Sequence, residues 1–201
     1  MNYTSLQLLI QDTLQRGDVA PAVPSWIEMA EARFNRELRV RQMLTRAYAQ
    51  LQESFIELPT DWLQARNVEL YVDPPRPLEV ITMQEADLVR ARGETIARYY
   101  VIHGAELEVV PYVAEPTDIE MTYYARIPAL SDANTSNWLL DAWPDLYLYG
   151  SLLHSSPYLE QDGRMAQWET ATAQILEKIR LGDAQAQHSG SPLRIRARAL
   201  Q

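Results

Sequence analysis

The chain has 201 residues, 47% of them hydrophobic and 22% charged, with no cysteine and no apolar run near the ~20 residues that span a membrane. This balance supports one substantial domain or two small ones, and it excludes disulfides, thiolate nucleophiles, zinc fingers and iron–sulfur clusters. The net charge is −9, but residues 188–201 hold Arg194, Arg196 and Arg198 and no acid, so residues 1–187 carry −12, too acidic for broad phosphate-backbone binding. Only Lys178 among the 18 basic residues is a lysine. Arginine pairs bidentately with carboxylates and suits protein–protein interfaces, although genomic base composition produces the same bias. The amino terminus, MNYTSLQLLIQDTLQRGD, carries neither a basic cluster nor a small-residue cleavage site, so no secretory signal is expected.

In chain order, residues 4–16 predict a helix with Thr4 as N-cap, an apolar face of Leu6, Leu9, Ile10 and Leu14, and Gly17 just past its end. Asp18 is the expected cap of a second helix, with Pro21 in its first turn. Trp26, Ile27, Ala30, Phe34 and Leu38 continue it at helical spacing. From residue 45 the period changes. TRAYAQLQ, SFIELP and ARNVELYVD read as short strands, and PPRPLEVI as an edge or an extended connection. Thr82 and Glu85 form a capping box for a helix over 83–91. ARYYVIHGAELEVVP predicts a β-hairpin turning at Gly104, and TDIEMTYYARIP a further strand.

Helices return at Asn137 or Ser136, with Pro144 opening a helix that Pro157 closes, then a long helix over 160–181. Beyond Gly182 the packing period is lost, and residues 188–201 read as an extended tail. The expected fold is α+β. Residues 1–44 and 128–187 form one helical bundle, with a mostly antiparallel β domain, 45–127, inserted in it.

Several strings together resemble phage adaptor proteins, the head-to-tail connectors of short-tailed phages that include tail tubular protein A. They are AEARFNRELRVRQM, DPPRPLEVIT, YYARIPALSDANTSNWLL, PDLYLYGSLLHSSPYL and SGSPLRIRA. None is specific alone; their order along nearly the whole chain carries the likeness. The resemblance implies a dodecameric ring under the portal that extends the DNA channel and seats the tail nozzle and fibres. It also implies helices facing the portal and neighbouring subunits, a β domain further outward or tailward, and a carboxy-terminal segment reaching along the portal. A head-completion or tail-terminator ring of a long-tailed phage is the alternative, separable only by its partners.

The leading candidate contact is the tail segment Pro192, Leu193, Arg194, Ile195, Arg196, Ala197 and Arg198. Arginine alternating with apolar residues gives a strand one basic and one apolar face, able to join a partner's sheet edge. The competing readings are a solvated tail and a weak, salt-sensitive contact with DNA. Glu31, Arg33, Arg36, Glu37, Arg39 and Arg41 are candidates for ion pairs between subunits, against the plainer reading of a solvated helix face with pairs such as Glu37–Arg41. Trp138 is read equally as an interface anchor and as core, whereas Trp143 is read as core. The acidic body suggests a lumen that lets DNA slide without specific binding.

No constellation supports catalysis. His103, His154 and His188 are scattered, and HExxH, GxSxG, P-loop and GxGxxG patterns are all missing from the sequence. No enzyme activity, cofactor, metal or membrane partner is expected. A tail-associated hydrolase is the remaining enzyme reading, with no carboxylate pair to nominate for it.

Overall fold

A computed structural model describes residues 1–113, 115–158 and 163–188. In chain order the elements are α1 (Tyr3–Leu14), α2 (Val23–Glu37), β1 (Leu44–Leu51), β2 (Phe55–Glu57), β3 (Trp62–Leu70), β4 (Arg76–Pro77), β5 (Glu79–Val80), α3 (Met83–Ala91), β6 (Tyr99–His103), β7 (Glu106–Val110), β8 (Thr117–Ala125), α4 (Trp138–Ala142), α5 (Pro144–Leu153) and α6 (Met165–His188). The fold is α+β, as expected. The chain forms two compact units, one of residues 1–40 with those from 128 onward, the other of residues 41–127.

In the helical unit, α5 lies against α1, α2 and α6. Its Leu146, Tyr147 and Leu152 are buried, as are Leu6, Ile10 and Leu14 of α1, Trp26, Ile27, Ala30 and Phe34 of α2, and Ile175, Leu176 and Ile179 of α6. Apolar residues three and four apart make one stripe per helix, and burying the stripes together is what stabilises helices of this length. α2 and α5 approach most closely at Gly150, where an added Cβ would lie 2.7 Å from Phe34 Cζ. The Phe34 ring packs edge-on against Tyr147 with centroids 5.3 Å apart, so it has little room to yield.

Several helix ends differ from expectation. α1 is capped by Asn2 instead of Thr4: Asn2 Oδ1 accepts from the Ser5 N–H at 2.8 Å, and Ser5 Oγ accepts from the Asn2 N–H at 2.9 Å. A reciprocal pair satisfies two otherwise unpaired donors. α1 ends at Gln15 (φ 54°) instead of Gly17, and the Gln15 amide donates to the Asp12 carbonyl at 2.6 Å. Asp18 caps nothing; its carboxylate is taken by the Arg16 guanidinium, and α2 starts at Val23 with Pro24 in its first turn. α5 ends at Leu153 with His154 as its C-cap, ahead of Pro157.

α6 begins at Met165 and runs past Gly182 to His188, beyond the expected 160–181. A mid-helix glycine costs ~1 kcal/mol. Here Asp183 is buried one residue later and accepts from the Gln187 amide at 2.8 Å, an i, i+4 pair that continues the helix. Of the extended tail expected over 188–201, His188 is the last residue of α6 and residues 189–201 lie outside the described residues.

The β unit holds two four-stranded sheets, ordered β1-β8-β3-β4 and β2-β7-β6-β5. All pairings are antiparallel except β5 with β6. Val68, Leu70, Ile119, Met121 and Tyr123 of the first sheet share a core with Tyr100, Leu107 and Val109 of the second. Side chains alternate along a strand, so Val101 and Val110 face the other way and pack on Ala86 and Val89 of α3. The second sheet is therefore covered on both faces. The proline-rich stretch supplies an edge to each sheet: Pro77 in β4 and Val80 in β5, both short. Gly104 turns the β6–β7 hairpin at φ 63°, and Thr82 and Glu85 cap α3 reciprocally, both as predicted.

Candidate interaction surfaces

The polar residues of α2 form a network within the subunit. Arg33 reaches Glu169 of α6 through two guanidinium hydrogen bonds of 2.8 Å, and Glu37 on its own helix at 2.7 Å. Arg180 of α6 donates to the Glu37 carbonyl at 2.9 Å and to its carboxylate at 3.3 Å. Glu37 thus pairs with Arg33 and Arg180. Paired guanidinium lowers the Glu169 carboxyl below its ordinary range, and the carboxylates raise Arg33. Arg39 donates to the carbonyls of Asn35 and Leu38 at 2.7 and 2.5 Å, closing the carboxyl end of α2. Arg36 is exposed, and Arg41 is exposed at the first residue of the β unit.

Glu31 departs furthest from its sequence reading. It is 5% exposed and faces the core. Its Oε1 accepts from the Leu130 N–H and from the Tyr147 hydroxyl, both at 3.0 Å, and that hydroxyl accepts from Asn137 Nδ2 at 2.8 Å. Burial among neutral donors raises the pKa of Glu31, and burial likewise raises that of Tyr147. This carboxylate ties α2 to the segment before α4 and to α5, so its bonds are spent inside the subunit. Helical spacing offered no warning, because Glu31 follows Ala30 at the margin of the apolar stripe. Asn137 is also the N-cap of α4, its Oδ1 accepting from the Leu140 N–H at 2.8 Å. Trp138 and Trp143 are each half-buried beside it.

In the β unit, buried Glu108 and Glu120 meet basic side chains. Arg90 of α3 and His103 Nε2 (2.8 Å) hold Glu108, and Arg46 of β1 holds Glu120. Tyr123 donates to Asp61 at 2.9 Å, and burial with that carboxylate beside it pushes its hydroxyl up to about 12. A cleft of about 630 Å³ opens near β2, between Glu57, Leu58, Trp62 and the Gly104–Glu106 turn. Trp62 Nε1 is buried there without a hydrogen-bond partner. Among the described residues no three His, Asp or Glu side chains are placed to hold a metal ion.

The family model of the SU10 adaptor protein matches residues 1–196, nearly the whole chain. The chain belongs to that family. The adaptor is accordingly a structural component of a phage virion, in line with the resemblance carried by its sequence motifs. No curated protein matches the chain. No helix among the adaptor's described residues is long and apolar enough to cross a membrane. Residues 192–198, the candidate docking segment, lie outside the described residues.

Proposed function

We propose that this adaptor is a ring-forming subunit of the phage head-to-tail junction, seated under the portal, extending the DNA channel and carrying the tail nozzle and fibres. The observation that supports this reading is the match of an adaptor family over residues 1–196, together with a fold of two units. In this reading residues 1–44 and 128–187 act as the helical part that meets the portal, residues 45–127 as the β part turned toward the tail, and residues 188–201 as the docking segment. Arg194, Arg196 and Arg198 of that segment pair with portal carboxylates, while Leu193, Ile195 and Ala197 lie against its apolar surface. Exposed Arg36 and half-buried Trp138 are the helical-unit candidates for contact with a neighbouring subunit, since Glu31, Arg33, Glu37 and Arg39 have partners within their own unit. The copies form a dodecamer, and DNA passes through it without specific binding, its acidic lining repelling phosphate. The role is mechanical and needs no catalysis, cofactor or metal.

Removal of residues 188–201 from the purified adaptor is the direct experiment. The shortened chain should fold with unchanged thermal unfolding and fail to co-sediment with portal; retained binding rules out the docking role. Images of tails assembled with and without the adaptor test the larger claim. A ring between portal and nozzle is expected, and a ring at the end of a long tail would instead favour the terminator reading.

A further inference from the structure

The strand order of the second sheet places β2 and β5 at its opposite edges, and these edges differ in charge. On the β5 side, Arg76, Arg92 and Arg98 are exposed, and among the described residues none makes an ion pair or a side-chain hydrogen bond. Glu79, Glu94 and, beside Arg92, Glu85 share this rim, so its charges balance, in contrast to the acidic β2 side. Clefts of about 440 and 460 Å³ meet around Ile96, Arg98 and Tyr99, and Ile96 is 49% exposed. On the β2 side, Glu53, Glu57 and Glu106 are exposed around the 630 Å³ cleft and its neighbouring strand, with Arg126 on the cleft wall. Phe55 stands 48% exposed on that strand. Arginine beside tyrosine and aliphatic side chains is the composition of energetically dominant interface patches.

We infer that the two edges are the two halves of one contact between copies of this chain: the Arg76–Arg98 rim of one β unit meets the Glu57–Glu106 rim of the next. This deepens the ring reading and rests on it. A contact between unlike surfaces on opposite edges repeats from copy to copy, which closes into a ring when the rotation between copies allows. Guanidinium groups without partners in their own subunit lose less on pairing with a neighbour than those already bound, such as Arg33. Phe55 and Ile96 supply an apolar anchor on each side, and the charges set direction, because turning one copy over brings like charges together.

The absence of native cysteine makes cross-linking a clean test. The full chain carrying Phe55→Cys and Ile96→Cys together, treated with a short bis-maleimide alone and with portal, should give a ladder of covalent species beyond the dimer. Each single variant should give no more than dimer. Both exposed positions tolerate the change without loss of core. Arg76→Glu with Arg98→Glu should weaken self-association about a hundredfold, and adding Glu57→Arg with Glu106→Arg should restore at least part of it. Rings visible by imaging with no ladder, or reversal without rescue, would overturn this contact and leave the ring reading standing. The lack of rings even with portal present would instead remove the ring reading itself.

Discussion

Glu31, buried in the helical unit, is held by neutral donors, whereas buried Glu108 and Glu120 of the β unit are each held by an arginine. Glu31 takes a backbone N–H and a tyrosine hydroxyl; Glu120 takes Arg46, and Glu108 takes Arg90 and His103. The difference follows from what each architecture places near the acid. A helix end and the loop before α4 bring unpaired backbone donors into the bundle, so a carboxylate there serves as a cap for another segment. Inside a sheet the backbone donors are already paired along the ladder, and a buried acid must find a long side chain on an adjacent strand or helix. Neutral donors give a site set by exact placement and insensitive to salt. Guanidinium donors reach from partly exposed stems and feel the solvent.

That contrast can be broken by measurement. Glu31→Ala should be the most damaging change, costing about 3 kcal/mol, because it leaves the Leu130 N–H and the Tyr147–Asn137 pair without their acceptor. Glu31→Gln should cost well under half of that. Urea unfolding of the two variants decides it, and equal losses would mean that volume, not hydrogen bonding, is what Glu31 supplies. Arg90→Ala comes next at about 2 kcal/mol: it strips a buried carboxylate of its cation, but Arg90 is itself partly exposed, so water takes up part of the loss. Its effect should shrink in high salt while that of Glu31→Ala does not. If Arg90→Ala proves worse than Glu31→Ala, the ordering of the two units is reversed.

A smaller effect concerns pH. Burial raises the folded pKa of Glu31, so the folded state binds more protons than the unfolded state above the ordinary carboxylate value of 4.5. Its contribution to stability must therefore fall as pH rises from there through the raised folded value. Glu169 has the opposite sign: its folded pKa is lowered, so its contribution is present above 4.5 and is lost as pH falls through the folded value. Unfolding curves across that range should show the alkaline-side decline vanish in Glu31→Gln, and its persistence would place its origin elsewhere. The least effect is expected for Arg33→Ala. Its partners Glu169 and Glu37 are half exposed or nearly so, and the loss should stay below about 1 kcal/mol and diminish with salt.

Local signals were legible in the sequence wherever a short-range rule acts alone. The Thr82–Glu85 capping box, the Gly104 hairpin, Pro144 at the first turn of α5 and the confinement of Pro74–Pro77 to edges depend only on neighbouring residues. The alternation of Ile119, Met121, Tyr123 and Ala125 was also readable, as was the helical stripe from Trp26 to Phe34. The misses came where two local rules competed. The Asn2–Ser5 pair took the cap ahead of Thr4, which has Gln7 at the same reciprocal spacing, and Asp18 was lost to Arg16. Gly182 looked like a stop because its neighbour's tertiary contact cannot be seen from spacing.

Composition and periodicity were enough to determine an α+β chain, since these follow from each residue's own preference for water, for φ and ψ, and for its near neighbours, and the order of motifs carried the resemblance to the adaptor family. Which charges are spent and which remain available was decided only by tertiary structure. Arg33 and Glu169 lie 136 positions apart, Glu31 and Tyr147 116 apart. No sequence pattern distinguishes Arg33, held twice over, from Arg98, exposed just before β6. Pairing depends on which surfaces the folded chain brings within hydrogen-bond reach, and that distance is a property of the packing rather than of the residue.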